Sequence, residues 1–252
     1  MSPSSLPSST LPLRLDYAAI VLAGGRSSRL GGTPKATLAT SGRPLVEVVL
    51  DAVRDARMRV VVGDGPVHPG VLVTQEEPRY AGPAAAVAAG LRALRDAAVT
   101  SPWTVVLACD LPGVRDGIPL LLGAAARAEG RRVTARAAAP EGAALGDGSP
   151  GPATERDPGD SPAPTAVGPF DDDGKGRAGI DGWCLSEDGR LQWLFAIVRT
   201  AGLWRAVNAL GDPTNRSMGA LMGGLILGGL PAPAAVTADI DTWEDADRWL
   251  RP

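Results

Sequence analysis

The chain has 252 residues, with 25 Lys and Arg against 28 Asp and Glu for a formal net charge of −3, and 44% of its residues are hydrophobic. That apolar share can fill a sizeable core, which excludes a disordered protein, and its two cysteines, Cys109 and Cys184, are too few for a disulfide framework and suit a reducing cytoplasm. No uninterrupted apolar stretch approaches the roughly 20 residues that span a bilayer, so no membrane partner is expected.

Residues 1–15, MSPSSLPSSTLPLRL, are rich in Ser and Pro and lack a basic start and an apolar centre, so they read as a disordered tail and not as a signal peptide. The folded region is expected over 16–252. It opens with YAAIVLA, residues 17–23, a short apolar run that ends at Gly24 and Gly25 as a buried parallel strand entering a loop would. The loop, LAGGRSSRLGGTPK over 22–35, holds four glycines that let backbone N–H groups turn inward, with Arg26, Arg29 and Lys35 adding positive charge. Following a strand, that is phosphate-binding chemistry. It is neither a Walker A loop, because Pro34 precedes Lys35, nor the G-x-G-x-x-G dinucleotide turn.

A helix is predicted over 44–56, where Leu45, Val48, Val49, Ala52 and Val53 keep a helical period and Pro44 suits the first turn. Val60–Val62 and Val71–Val73 are the next strands. The only histidine, His68, lies on a surface turn between them, which leaves no histidine-centred metal site. Glu76 and Glu77 follow on a loop, where two adjacent side chains cannot readily face one ligand, and Gly82 and Pro83 introduce an Ala-rich helix over 83–97 whose N-terminal dipole favours an anion. The most continuous strand signal is WTVVLAC, 103–109, which ends at Asp110. A carboxylate just past a buried strand is the hard oxygen donor that Mg²⁺ takes beside phosphate oxygens.

Residues 140–179 include 16 Gly or Pro and only three large apolar side chains, Leu145, Val167 and Phe170, so they read as a flexible insert. The insert carries eight acids and three bases, and removing it leaves 22 bases and 20 acids, so the folded part has no charge bias toward nucleic acid. Beyond it, Asp181 to Trp193 reads as a hairpin turning at Asp188-Gly189, followed by an apolar helix over 194–210. AAVTA, 234–238, reads as a strand that Asp239 and Asp241 terminate, with a helix after them; Asp241 either serves the site or caps that helix, with Glu244 three residues on. Alternating strands and helices give an α/β fold with a mostly parallel sheet covered on both faces, and ligands of such folds sit at the carboxyl ends of the strands.

Leu22-Ala23-Gly24-Gly25, then Arg29, Gly31, Gly32 and Lys35, with Gly42-Arg43-Pro44-Leu45 behind them, resemble the opening signature of the nucleotidyltransferase family that includes the molybdenum cofactor guanylyltransferases. Further landmarks keep their order: Glu76-Glu77-Pro78, Gly82-Pro83, Cys109-Asp110-Leu111-Pro112, Asp188-Gly189-Arg190 with Gln192, Arg199-Thr200, and the run from Asp239 to Asp245. The resemblance covers about residues 17 to 250 apart from the insert. It implies a Rossmann-like three-layer α/β/α fold and transfer of GMP from GTP to the phosphate of molybdopterin-bound molybdenum, with release of pyrophosphate and Mg²⁺ as the metal.

By that resemblance Leu22, Ala23, Gly24, Gly25, Arg29, Lys35, Glu77, Gly82 and Asp110 bind the nucleotide, with Arg29, Lys35 and Asp110 catalytic. Asp110 and Asp239 would hold the metal, and Asp239 and Asp241 would line the acceptor side. Gly24 favours GTP, because the cytidylyl relatives carry Ala there and a missing Cβ leaves room for a purine. Three positions depart from the family pattern: Pro34 replaces an acid, Ala84-Ala85 replace Leu-Ala, and Asp239-Ile240-Asp241 stands where some relatives have Asn-x-Asn. Trp183 and Trp193 either stack on a pterin or pack in the core. The resemblance further implies a cytoplasmic monomer or weak oligomer in transient contact with proteins that donate or receive molybdenum cofactor. Two other readings stand beside it: transfer from CTP or to a sugar phosphate, and a nucleotide-binding adaptor for molybdenum cofactor without catalysis.

Overall fold

In the computed structural model, the described residues are 15–24, 39–40, 43–65, 68–138, 179–240 and 242–250. The tail over 1–14, residues 25–38 of the glycine-rich loop, all of the insert except Gly179, and Asp241 lie outside them.

The chain runs β1 (Tyr17–Ala23), β2 (Ala39–Thr40), β3 (Arg43–Pro44), α1 (Leu45–Ala52), β4 (Arg59–Gly63), β5 (Val71–Thr74), α2 (Pro83–Asp96), β6 (Trp103–Ala108) and α3 (Val114–Ala138). It continues as β7 (Gly182–Glu187), β8 (Arg190–Arg199), α4 (Thr200–Leu210), α5 (Met218–Met222), β9 (Leu227–Pro231), α6 (Ala234–Thr237) and α7 (Trp243–Leu250). Seven strands form one sheet in the order β5-β4-β1-β6-β8-β7-β9, and β2 pairs with β3 apart from it. β1 is parallel to both β4 and β6, β4 to β5, and β7 to β9, while β8 runs antiparallel to its neighbours β6 and β7. One strand in seven therefore runs against the rest.

Burial on both faces explains why the central strands read as unbroken apolar runs. One face of the sheet packs against α1, α3 and α6 through residues such as Val49, Leu121 and Val236. The other packs against α2, α4 and α5 through Val87, Leu203 and Leu221. Close helix-to-sheet approach relies on glycine at two places: an added Cβ would lie 2.7 Å from Ile20 Cγ2 at Gly90 of α2, and 2.2 Å from Phe195 Cζ at Gly117 of α3. Cys184 is fully buried, and desolvation pushes its thiol up to about 12, so it remains a neutral packing group.

Two expectations change and two open alternatives are narrowed. The apolar run after Trp193 continues as strand to Arg199, so helix α4 spans Thr200–Leu210 and not 194–210, because Phe195 to Arg199 pair with Leu107 to Trp103 of β6. AAVTA is not a strand: residues Ala234–Thr237 form the single turn α6, since the sheet edge beside β7 is already taken by β9. Trp183 is 3% exposed and stacks on Trp103 with centroids 5.7 Å apart, which makes it core, and Trp193 packs partly buried against the second face. The cap of α7 is Thr242, whose hydroxyl accepts the Asp245 N–H at 3.2 Å while the Asp245 carboxylate accepts the Thr242 N–H at 3.0 Å. That reciprocal box needs neither Asp241 nor Glu244.

Candidate active site

The carboxyl ends of β1, β4, β5, β6 and β7 open on one edge of the sheet, and the site is built from what immediately follows them. Register fixes the first pair. Leu22 stands beside Ala108 in the parallel β1–β6 ladder, and Cys109 N–H donates to Leu22 O at 3.0 Å, which carries the ladder past the end of β6. Two residues beyond that pair, Gly24 and Asp110 follow the ends of these neighbouring strands. Asp110 is 6% exposed, whereas Gly24 is exposed at the rim.

The end of β4 closes on the same point. Gly63 has φ +113°, and a Cβ there would lie 2.6 Å from Gly24 N and 2.8 Å from Ala23 C, so only glycine lets this backbone lie against the start of the loop. At Gly24 itself an added Cβ would meet nothing nearer than Glu76 Oε1 at 3.8 Å and Val62 O at 3.9 Å. Packing within the described residues does not require glycine at that position.

After β5, Glu76 and Glu77 part company. Glu76 is 5% exposed, turns toward Gly24, accepts the Tyr80 N–H at 3.0 Å and accepts Gln75 Nε2–H at 2.7 Å. Glu77 points outward on the exposed side of the turn. The structure thus brings Glu76, not the expected Glu77, to the loop glycine. Gly82, at φ +91°, begins α2, but the start of this helix is partly covered: Asn215 N–H donates to Ala81 O at 2.6 Å and Ala84 N–H donates to Arg216 O at 3.4 Å. Asp212-Pro213 announces a turn in the sequence, yet nothing local says that the turn docks on a helix more than a hundred residues earlier.

Asp239 arrives from the other side of the sheet. Ile240 N–H donates to Asp110 O at 3.2 Å, which seats exposed Asp239 next to the residue bonded to Asp110. Ile240 is fully buried against Leu45 and Ala246. Leu22, Ala23, Gly24, Glu76, Asp110 and Asp239 therefore gather on one edge, whereas Gly25, Arg29, Lys35 and Asp241 fall outside the described residues. Among the described residues, no three or more His, Cys, Asp and Glu side chains form a metal-holding group, and none of the helices is long and apolar enough to cross a membrane. Two carboxylates at a rim can share a cation only if a ligand supplies the remaining oxygens, which is how Mg²⁺ binds nucleotides.

A glycine turn and carboxylates gathered at the carboxyl edge of an α/β sheet lie where ligands of such sheets bind. A family model described as MobA-like NTP transferase domain matches residues 19–219, and the chain belongs to that family. It is 38% identical over 99 residues to a molybdenum cofactor guanylyltransferase of Pseudomonas putida, a match covering 37% of this chain and 49% of that protein. A Pseudomonas paraeruginosa protein of the same name is 32% identical over 133 residues, covering 50% of this chain and 63% of the relative. The chain thus spans about half to somewhat under two thirds of the length of these relatives. Among solved structures, molybdopterin-guanine dinucleotide biosynthesis protein A from Archaeoglobus fulgidus superposes with a TM-score of 0.51 at 16% identity, covering 92% of this chain and 96% of that one. The 2-C-methyl-D-erythritol 4-phosphate cytidylyltransferase of Francisella tularensis gives 0.54 at 12% identity, with 92% and 97% covered. These two share the Rossmann-like fold, which agrees with the three-layer architecture read from the sequence.

Proposed function

We propose that the chain transfers GMP from GTP to the phosphate of molybdopterin-bound molybdenum and releases pyrophosphate. The observation that carries this reading is that Gly24 and Asp110 follow the carboxyl ends of paired neighbouring strands, with Glu76 facing the glycine. Among the described residues no atom comes nearer than 3.8 Å to a Cβ placed at Gly24, and a purine nucleotide laid on the loop backbone would fit that open side. The names of the curated relatives point to the same nucleotide and acceptor.

In this reaction an oxygen of the acceptor phosphate attacks the α-phosphorus of GTP, and the bond to the β-phosphate oxygen breaks. The acceptor oxygen is already ionised, so the chain has to align and neutralise charge and no general base is needed. Arg29, Lys35 and inward loop N–H groups from Gly24 and Gly25 would hold the triphosphate, and Glu76 would face the nucleoside. Asp110 and Asp239 fit a Mg²⁺ that shares phosphate oxygens and would neutralise the charge building on them.

The test is pyrophosphate release from GTP and from CTP, each with Mg²⁺ and with or without molybdenum-loaded molybdopterin. Release confined to GTP with the cofactor is expected; release with CTP or with a sugar phosphate would redirect the assignment, and GTP binding without release would favour an adaptor. The choice between the two glutamates is checked in the same assay. Glu76→Ala is expected to raise the KM for GTP about tenfold, since it removes a buried charged acceptor worth about 1.5–3 kcal/mol, while Glu77→Ala leaves it unchanged. The reverse pattern would restore Glu77 to the site.

A further inference from the structure

The segment bearing Asp239 is fastened to the sheet at separate points. Ala232 N–H donates to Ser186 O at 2.9 Å on one side of it, and Ile240 N–H donates to Asp110 O at 3.2 Å on the other. Between these, the Thr237 hydroxyl donates to Glu187 Oε2 at 2.5 Å, linking residues fifty positions apart. Thr237 is 5% exposed and closes α6, a helix of four residues that is too short to hold its shape unaided. Glu187 ends β7 at the carboxyl edge where Asp110 stands.

We propose that Thr237 and Glu187 are positioning residues that hold Asp239 beside Asp110 and so shape the cation site of the proposed reaction. The inference rests on that functional reading, and neither residue is placed in contact with substrate. Its logic is one of bracketing. Asp239 lies two residues after Thr237 and one before Ile240, so its backbone is pinned on both sides: by a directional side-chain hydrogen bond at Thr237, and by a backbone hydrogen bond and apolar burial at Ile240. A hydroxyl-to-carboxylate bond is charge-assisted and directional, which suits it to fixing a short turn. With the hydroxyl removed, α6 keeps its packing but can slide along β7, and the Asp239 carboxylate moves relative to Asp110.

The experiment measures Mn²⁺ binding by electron paramagnetic resonance, using the full chain saturated with a non-hydrolysable GTP analogue. Thr237→Val keeps shape and burial and is expected to weaken Mn²⁺ binding about tenfold, with affinity for the analogue in the absence of metal unchanged. Thr237→Ser, which keeps the donor, should restore it. Should Thr237→Val fail to fold, Glu187→Ala removes the same bond from the half-buried rim and carries the same expectation. Wild-type Mn²⁺ affinity in these variants overturns the proposal, and so does a parallel loss of metal affinity, analogue affinity and thermal stability, which would mark a merely structural bond. A wild-type complex that binds the analogue but takes up no Mn²⁺ would instead overturn the metal-dependent functional reading on which the proposal rests.

Discussion

Asp110→Asn is expected to lower turnover roughly 10²–10³-fold and to leave the protein folded. The substitution is nearly isosteric, and the contact that docks the C-terminal segment, Ile240 N–H on Asp110 O, uses the backbone and survives it. What is lost is the carboxylate of a side chain 6% exposed, at the point where the proposed reaction would bring phosphate and cation together. Water cannot replace that charge cheaply in so enclosed a position, so the loss falls on catalysis and not on stability. Pyrophosphate release and a thermal melt on the same sample separate the two. Undiminished turnover would remove Asp110 from the site.

Gly63→Ala is expected to damage both the fold and the nucleotide site. A residue with a Cβ is strained at φ +113°, and the new atom would lie 2.6 Å from Gly24 N and 2.8 Å from Ala23 C, which are backbone atoms that cannot swing aside. Strain alone costs about 1–3 kcal/mol. Taking about 3 kcal/mol with the clash included, the melting temperature falls by about 6–12 °C for a chain of this size. Because the displaced atom belongs to the first loop glycine, GTP affinity falls with it. Gly24→Ala is the contrasting case: its Cβ meets no described protein atom within 3.8 Å, so the melting temperature holds while GTP binding is lost. Calorimetry and nucleotide titration on the pair check the argument, and a Gly63→Ala protein as stable as the parent would contradict the close approach of β4 to the loop.

Much of the nucleotide-side architecture was legible because buried parallel strands have no polar face to interrupt them. β1, β6 and the Asp188-Gly189 hairpin turn follow directly from apolar runs and turn residues, and both residues of the turn have positive φ as a two-residue hairpin requires. The run LFAIVR was ambiguous in isolation. Its neighbours could support helix or strand, and only pairing with β6, nearly a hundred residues away, decides it. α3 had no counterpart among the predicted elements. Gly117, Pro119, Gly123 and Gly130 break its helical signal, although Gly117 is there to admit Phe195. At the candidate site, the positions of Gly24 and Asp110 were legible because each lies just past the end of an apolar strand. Glu76 could not be chosen over Glu77, because which of two adjacent side chains faces inward depends on the path of the turn. The docking of Asn215 and Arg216 on α2 leaves no local trace.

The reversed strand β8 divides the sheet into two wings. Gly24, Glu76 and Asp110 follow strands of the β5-β4-β1-β6 wing, while β7 and β9 support the segment that bears Asp239. The wings are joined through β8, which runs antiparallel to β6 on one side, where Trp103 to Leu107 pair with Arg199 to Phe195, and antiparallel to β7 on the other. The hairpin joining β7 to β8 turns on the site edge, and Asp188 and Gly189 at its tip are exposed. A protein built this way can lengthen or recolour that exposed tip without disturbing a buried side chain of the wing that holds Gly24 and Asp110.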